Sequence, residues 1–298
     1  MTDTWLGIDI GGTSTRLMLM DNQRHWLNFH KIATASWSQS PEALTELAQR
    51  ITQFLEQQPV NGVMLGLPGI LSRDRQQVLS LPFIQRLDNQ PVAAQLSERL
   101  GLPVAMDKDV NHLMLWDLLQ LPLLPDSAVG LYLGTGMGNS LWLNRQFYHG
   151  EHGAAGELGH IPFGESNLPC PCGNHGCAET VTSGHWLSGW AAEHLPDIPL
   201  GEVFSVHRHH PALEAFVTRL AKVIAMEMNI LDPDTLILGG GVLAMADFPQ
   251  DALRQQIRQY LRPPITRSGL KIVFSAPGDQ TGCRGACLAA QRHFSEGQ

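Results

Sequence analysis

One short pattern occurs twice in this chain, and it constrains the fold more than any other feature. Near the N-terminus an apolar run, Trp5 to Ile10, meets Gly11-Gly12-Thr13-Ser14, and a second run, Arg16 to Met20, follows. In mid-chain Val129 to Leu133 meets Gly134-Thr135-Gly136-Met137-Gly138, and Ser140 to Leu143 follows. Short apolar runs bounded by glycine read as strands. Both copies are therefore strand, Gly-rich turn with a threonine, strand. The repetition predicts a duplicated unit, one per domain.

The segments around each copy alternate in type. Trp26 to Ala33 reads as a third strand. Pro41 to Gln57 has helical spacing, with Leu44, Leu47, Ala48, Ile51 and Leu55 on one face. Val63 to Leu67 reads as a buried strand stopped by Pro68-Gly69, and a helix through Gln95 to Leu100 stops at Gly101. Leu102 to Met106 is a strand that delivers Asp107-Lys108-Asp109, and Val110 to Leu121 is helical. In the second half a long helix, Pro211 to Leu231, precedes the strand Thr235 to Leu238 and Gly239-Gly240-Gly241. A strand, Lys271 to Ser275, and a helix near Gly282 to Phe294 close the chain. Alternating strands and helices give α/β layers. Two similar halves with a cleft between them place ligands at the C-terminal ends of the strands.

A phosphate needs backbone N–H donors, and glycine lets the main chain approach it closely. Three places qualify: Gly11-Gly12-Thr13, Gly134-Thr135-Gly136 and Gly239-Gly240-Gly241. Any one of them is explained as well by a tight hairpin turn. Three at strand ends, two carrying a threonine hydroxyl, favour nucleotide binding. The P-loop is absent, and so is the Rossmann pattern, because these turns run strand to strand. Asp9, just ahead of the first turn, could hold Mg²⁺ through waters or simply cap the hairpin.

Of five cysteines, Cys170, Cys172 and Cys177 crowd into eight residues. With His160 they form three thiols and one imidazole, a closed tetrahedral set of the kind structural Zn²⁺ prefers. His175 competes for the fourth place, but it lies inside the reversal Gly173-Asn174-His175-Gly176, and His160 is preferred. Cys283 and Cys287 stand at helical spacing among Gly and Ala, which reads as core packing. The odd count, with no secretory signal at Met1-Thr2-Asp3-Thr4-Trp5, points to a reducing cytoplasm. A net charge of −8 argues against a nucleic-acid surface. No run approaches the roughly 20 apolar residues of a membrane helix.

Two blocks now carry a resemblance. Gly156-Glu157-Leu158-Gly159-His160 and Cys170-Pro171-Cys172-Gly173-Asn174-His175-Gly176-Cys177-Ala178-Glu179 resemble the signature of ROK proteins (repressors, open reading frames, kinases). Asp9-Ile10-Gly11-Gly12-Thr13, Leu67-Pro68-Gly69, Asp109 and Gly239-Gly240-Gly241 fall in the family's order. The resemblance implies a two-domain actin/hexokinase-like (ribonuclease H-like) fold, in general dimeric. The expected domains are 1–118, completed by a C-terminal helix 285–298, and 119–284 with the zinc knuckle. It implies ATP-dependent phosphorylation of a hexose, at the 6-hydroxyl, using ATP and Mg²⁺ with structural Zn²⁺.

By the same resemblance Asp109 is the general base. Glu157, His160 and Glu179 contact sugar hydroxyls, Gly69 lies beneath the sugar, and the three glycine turns hold phosphate and adenosine. On the residues alone, Asp109 before a helix reads equally well as an N-cap, and Glu157 and Glu179 as surface carboxylates. The family has Asn before its catalytic Asp, where this chain has Lys108. A basic residue there resembles the D-allose kinase branch, as do the blocks around Trp116-Asp117, Gly134 to Gly138 and Asp232 to Val242. Lys108 is thus an expected sugar contact. Glucokinase, fructokinase and N-acetylmannosamine kinase are the alternatives, and a non-catalytic ROK sugar sensor is a further one. A DNA-binding repressor is disfavoured, because the first glycine turn begins so early.

Overall fold

The computed structural model describes residues 3–164, 167–276 and 278–295. The chain forms two units. One contains the chain up to Leu124, His149–Ala155 and the chain from Gly278 on; the other contains Pro125–Tyr148 and Gly156–Pro277.

In the first unit, β1 (Thr4–Ile10), β2 (Ser14–Asp21), β3 (Trp26–Ala33), β4 (Gly62–Leu67) and β7 (Val104–Lys108) form one sheet in the order β3-β2-β1-β4-β7. A small hairpin, β5 (Ile70–Leu71) with β6 (Val78–Ser80), stands beside it. β1 pairs antiparallel with β2 and parallel with β4, and β4 pairs parallel with β7. Alternation along β1 sends residues to opposite faces. Leu6, Ile8 and Ile10 join a buried cluster with Leu44, Leu47 and Ile51 of the Ala43–Leu55 helix. Truncating Leu47 to Ala should cost about 2–5 kcal/mol.

Across the sheet, Trp5, Gly7 and Asp9 meet the helix Thr281–Ser295. Trp5 stacks on Phe294, and Cys287 Sγ lies 3.2 Å from the Met18 carbonyl. Cys283 and Cys287 are fully buried, as core packing requires. Small residues let this helix lie close: a Cβ on Gly285 would fall 1.8 Å from the His112 carbonyl oxygen. The helix predicted over 285–298 thus begins earlier, at Thr281, and residues 296–298 lie outside the described ones.

The second unit repeats the scheme. β8 (Ser127–Leu133), β9 (Met137–Leu143), β10 (Gln146–Phe147), β11 (Thr235–Gly239) and β12 (Lys271–Phe274) take the order β10-β9-β8-β11-β12. Here β8–β9 and β9–β10 are antiparallel, while β8–β11 and β11–β12 are parallel. The duplication read from two glycine turns is therefore a duplication of topology. The Pro211–Leu231 helix begins at proline, whose missing N–H costs nothing there, and His210 caps it by accepting from Ala212 N at 3.2 Å.

Candidate functional site

The first glycine turn closes through Gly11 N to Ser14 O at 2.9 Å, and Thr34 Oγ1 donates to Gly11 O at 2.7 Å. Gly12 and Thr13 are exposed. Asp9 next to them is half-buried, and desolvation raises its pKa against the opposing charge of Arg16, 3.4 Å away. Arg16 and Lys31 both pair with Asp279, at 2.6 and 2.8 Å. The turn thus sets exposed glycine and threonine backbone beside the Asp9 carboxylate and Arg16, an arrangement suited to a polyphosphate and its cation.

Beyond β4 and β7 the same unit holds the Asp107-Lys108-Asp109 turn. Lys108 takes the N-cap position, so Asp109 is the first residue of the helix Asp109–Gln120 and not its cap. Its Oδ1 accepts from Val110 N at 2.8 Å. Burial pushes the Asp109 carboxyl up to about 7, and the charge of Asp9 adds to the shift. A carboxylate near neutrality can take a proton at working pH. The Lys108 side chain is buried, and its Nζ donates to Ala155 O at 3.3 Å. Gly69 stands at the foot of the β5–β6 hairpin, where a Cβ would fall 2.2 Å from Ser80 O. Asp107 is paired with Arg75 at 3.0 Å. Arg75 was not legible in the sequence, because an arginine in a polar turn reads as surface.

In the second unit two glycine turns come together at the C-terminal ends of neighbouring parallel strands, β8 and β11. Gly134 N reaches Gly136 O at 3.1 Å, and Gly184 N and His185 N reach Gly134 O and Thr135 O at 2.9 and 2.8 Å. This seats the turn at the start of the helix Gly184–His194, whose first amides point toward it. Val242 N donates to Leu133 O at 3.0 Å, tying the Gly239-Gly240-Gly241 turn to the end of β8. That turn leads into a run of turns and not a strand, so the strand-to-strand rule holds for two of the three.

The same unit gathers four metal-ligating groups. The donor atoms of His160, Cys170, Cys172 and Cys177 all lie within 4.8 Å of one another. Cys172 and Cys177 sulfurs are 3.7 Å apart, and Cys170 Sγ is 3.5 Å from His160 Nδ1. Metal–sulfur bonds of about 2.3 Å and metal–nitrogen bonds of about 2.0 Å give tetrahedral edges of about 3.8 and 3.5 Å. The Cys172–Cys177 and Cys170–His160 spacings match those edges. The knuckle is set by Cys170 N to Asn174 O at 2.8 Å and Gly173 N to Cys170 O at 3.0 Å. His175 stays outside the quartet, pairing with Pro169 across the reversal. His160 sits between two carboxylates: Glu157 Oε2 is 3.7 Å from Nε2, and Glu179 Oε1 is 3.7 Å from Nδ1. Glu179 Oε2 also accepts from Met137 N at 3.4 Å, next to the Gly134–Gly136 turn.

The ROK family model matches residues 5–293. An N-acetyl-D-glucosamine kinase of Mannheimia succiniciproducens is 30% identical over 310 residues, covering 94% of this chain and 97% of that one. A glucokinase of Halalkalibacterium halodurans is 26% identical, over 96% of this chain and 94% of its own. Among solved structures, a ROK family glucokinase from Streptomyces griseus in complex with glucose and AMPPNP superposes with a TM-score of 0.82 at 24% identity, covering 97% of this chain and 99% of that one.

Proposed function

The chain belongs to the ROK family, and from that premise we propose that it is an ATP-dependent hexose kinase with Asp109 as general base at the sugar's 6-hydroxyl. One observation carries the reading most. The Asp109 carboxyl, at a strand end and the first turn of a helix, is held near neutrality. A base tuned in this way accepts the hydroxyl proton as the P–O bond forms.

The remaining chemistry is alignment and charge neutralisation. The glycine turns at Gly11, Gly134 and Gly239 supply backbone donors for the nucleotide, and Asp9 is the candidate holder of hydrated Mg²⁺, which would neutralise phosphate charge. Glu157, His160 and Glu179 contact the sugar in this reading. His160, Cys170, Cys172 and Cys177 would hold Zn²⁺. With four protein donors no position is open, so the ion would be structural. Through His160 it would fix both carboxylates.

For the sugar, Lys108 in the place of Asn supports an allose-type acceptor. Its ammonium donates to Ala155 O, so it would act through the 149–155 segment more than by touching the ring. The names of the relatives favour a second reading, N-acetyl-D-glucosamine or glucose. A cytoplasmic homodimer completes the proposal, on the resemblance and the free thiols alone.

The test is ADP release coupled to a panel of D-allose, D-glucose, N-acetyl-D-glucosamine, N-acetyl-D-mannosamine and D-fructose. Asp109→Asn should lower turnover by roughly 10²–10⁴-fold, the range of one general base. Near-wild-type turnover in that variant removes the assignment.

A further inference from the structure

The segment His149–Ala155 belongs to the first unit, although strands of the second unit flank it in sequence. It is strapped against the β5–β6 hairpin. A Cβ on Gly153 would fall 2.1 Å from the Leu71 carbonyl oxygen, at a φ of +77, so only glycine passes there. Two cations hold the strap. Lys108 Nζ donates to Ala155 O, and Arg75 donates from Nη1 to Gly153 O at 3.2 Å. Arg75 Nη2 also meets His149 Nδ1.

The other edge of the same guanidinium faces the catalytic turn. Arg75 Nε lies 3.0 Å from Asp107 Oδ1, with only 12% of the arginine side chain and 17% of the aspartate side chain exposed. Asp107 then holds the Lys108 backbone ahead of Asp109 and the Asn111 side chain after it. Its Oδ1 accepts from Lys108 N at 2.8 Å, and its Oδ2 accepts from Asn111 Nδ2 at 2.9 Å. One side chain thereby ties three pieces of the first unit together: the hairpin that follows Gly69, the turn that presents Asp109, and the His149–Ala155 strap.

A solvent-exposed ion pair would be worth little. This one is largely buried, and arginine's planar fork spreads its nitrogens over Asp107, Gly153 O and His149, which lysine cannot match. Burial lowers the His149 pKa, so its ring is the neutral acceptor that Arg75 requires.

We propose that Arg75 is a positioning residue for the sugar half of the reaction, setting the Asp109 turn through Asp107 and tying it to the His149–Ala155 strap through Gly153 and His149. The inference rests on Asp109 being the base. A displacement of about 1 Å in reacting groups can cost 10²-fold. Arg75→Ala should therefore lower kcat/KM for the sugar by roughly 10–100-fold while KM for ATP stays within about twofold.

The test is a double-mutant cycle on the full-length protein, with Tm measured alongside the kinetics. Asp107→Asn should reproduce most of the loss. The double variant Arg75→Ala/Asp107→Asn should lose no more than the worse single variant, because both break one linkage. Arg75→Lys keeps the charge beside Asp107 and loses the fork, so it should recover part of the sugar efficiency. If Arg75→Ala does not fold, the cycle is run from Arg75→Lys. Wild-type sugar kinetics in a folded Arg75 variant, multiplying losses in the double variant, or an ATP KM that rises with the sugar KM would each overturn the proposal. Turnover surviving in Asp109→Asn would instead remove the base. An inactive Asp109→Asn beside unaffected Arg75 variants would remove the role of Arg75 alone.

Discussion

The raised pKa of Asp109 has consequences for both rate and stability, and they run in opposite directions. Its carboxyl shifts from an ordinary 3.8 to about 7. As a base it must be deprotonated, so with a pKa near 7 about one tenth is active at pH 6 and about nine tenths at pH 8. Sugar kcat/KM should rise about tenfold over that interval, where an unshifted carboxylate would give a flat profile. For stability the sign reverses. The folded pKa lies above the unfolded one, so ionisation penalises the folded state. The penalty is absent below about pH 4, grows through the interval up to pH 7, and is complete above it. Three pKa units correspond to about 4 kcal/mol at the ceiling, and partial solvent access reduces this to about 1–2 kcal/mol. Asp109→Asn should therefore raise Tm at pH 8 by several degrees and by less at pH 5. The assays are kcat/KM against pH for the wild type and thermal melts of both proteins at the two pH values. A flat rate profile between pH 6 and 8, or an equal change in Tm at both pH values, would refute the reasoning.

Elemental analysis should find about one zinc per chain. Cys172→Ser, or chelation, should lower sugar affinity and Tm together, with the KM for ATP less affected, because metal binding contributes to folding; fully active metal-free protein would contradict this. Lys108→Asn should shift preference within the sugar panel toward glucose, and an unchanged ranking would remove Lys108 from specificity. Gly285→Ala places a Cβ 1.8 Å from the His112 carbonyl oxygen, and should destabilise by about 1–3 kcal/mol in urea unfolding, as overpacking does. A neutral effect would mean that the Thr281–Ser295 helix is not held so close to its neighbour.

Much of the fold and part of the site were readable from local chemistry. Strand boundaries followed glycine and apolar runs, so the Pro211–Leu231 helix and the Trp26–Ala33 strand match their sequence expectations. The His-Cys quartet was readable because metal ligands need fixed residue types at short spacing, and the structure brings the four together. What stayed hidden depends on long-range packing. The bounds expected from sequence, 119–284, include residues 149–155, but Gly153 packs against the Leu71 carbonyl and these residues belong to the first unit. No spacing rule links Arg75 to Asp107 or His149, which are distant in sequence. Lys108 as N-cap was missed because Asp is the commoner cap, and here the Asp is the first helical residue instead.

The central claim is phosphoryl transfer to a hexose with Asp109 as base. The most direct measurement is mass-spectrometric detection of the product after incubation with ATP, Mg²⁺ and each hexose, wild type beside Asp109→Asn. The account predicts a hexose 6-phosphate, formed stoichiometrically with ADP, by the wild type on at least one sugar of the panel, and at least 10²-fold less from the variant in the same time. No phosphorylated sugar from the wild type on any hexose, or equal yields from the two proteins, would contradict it.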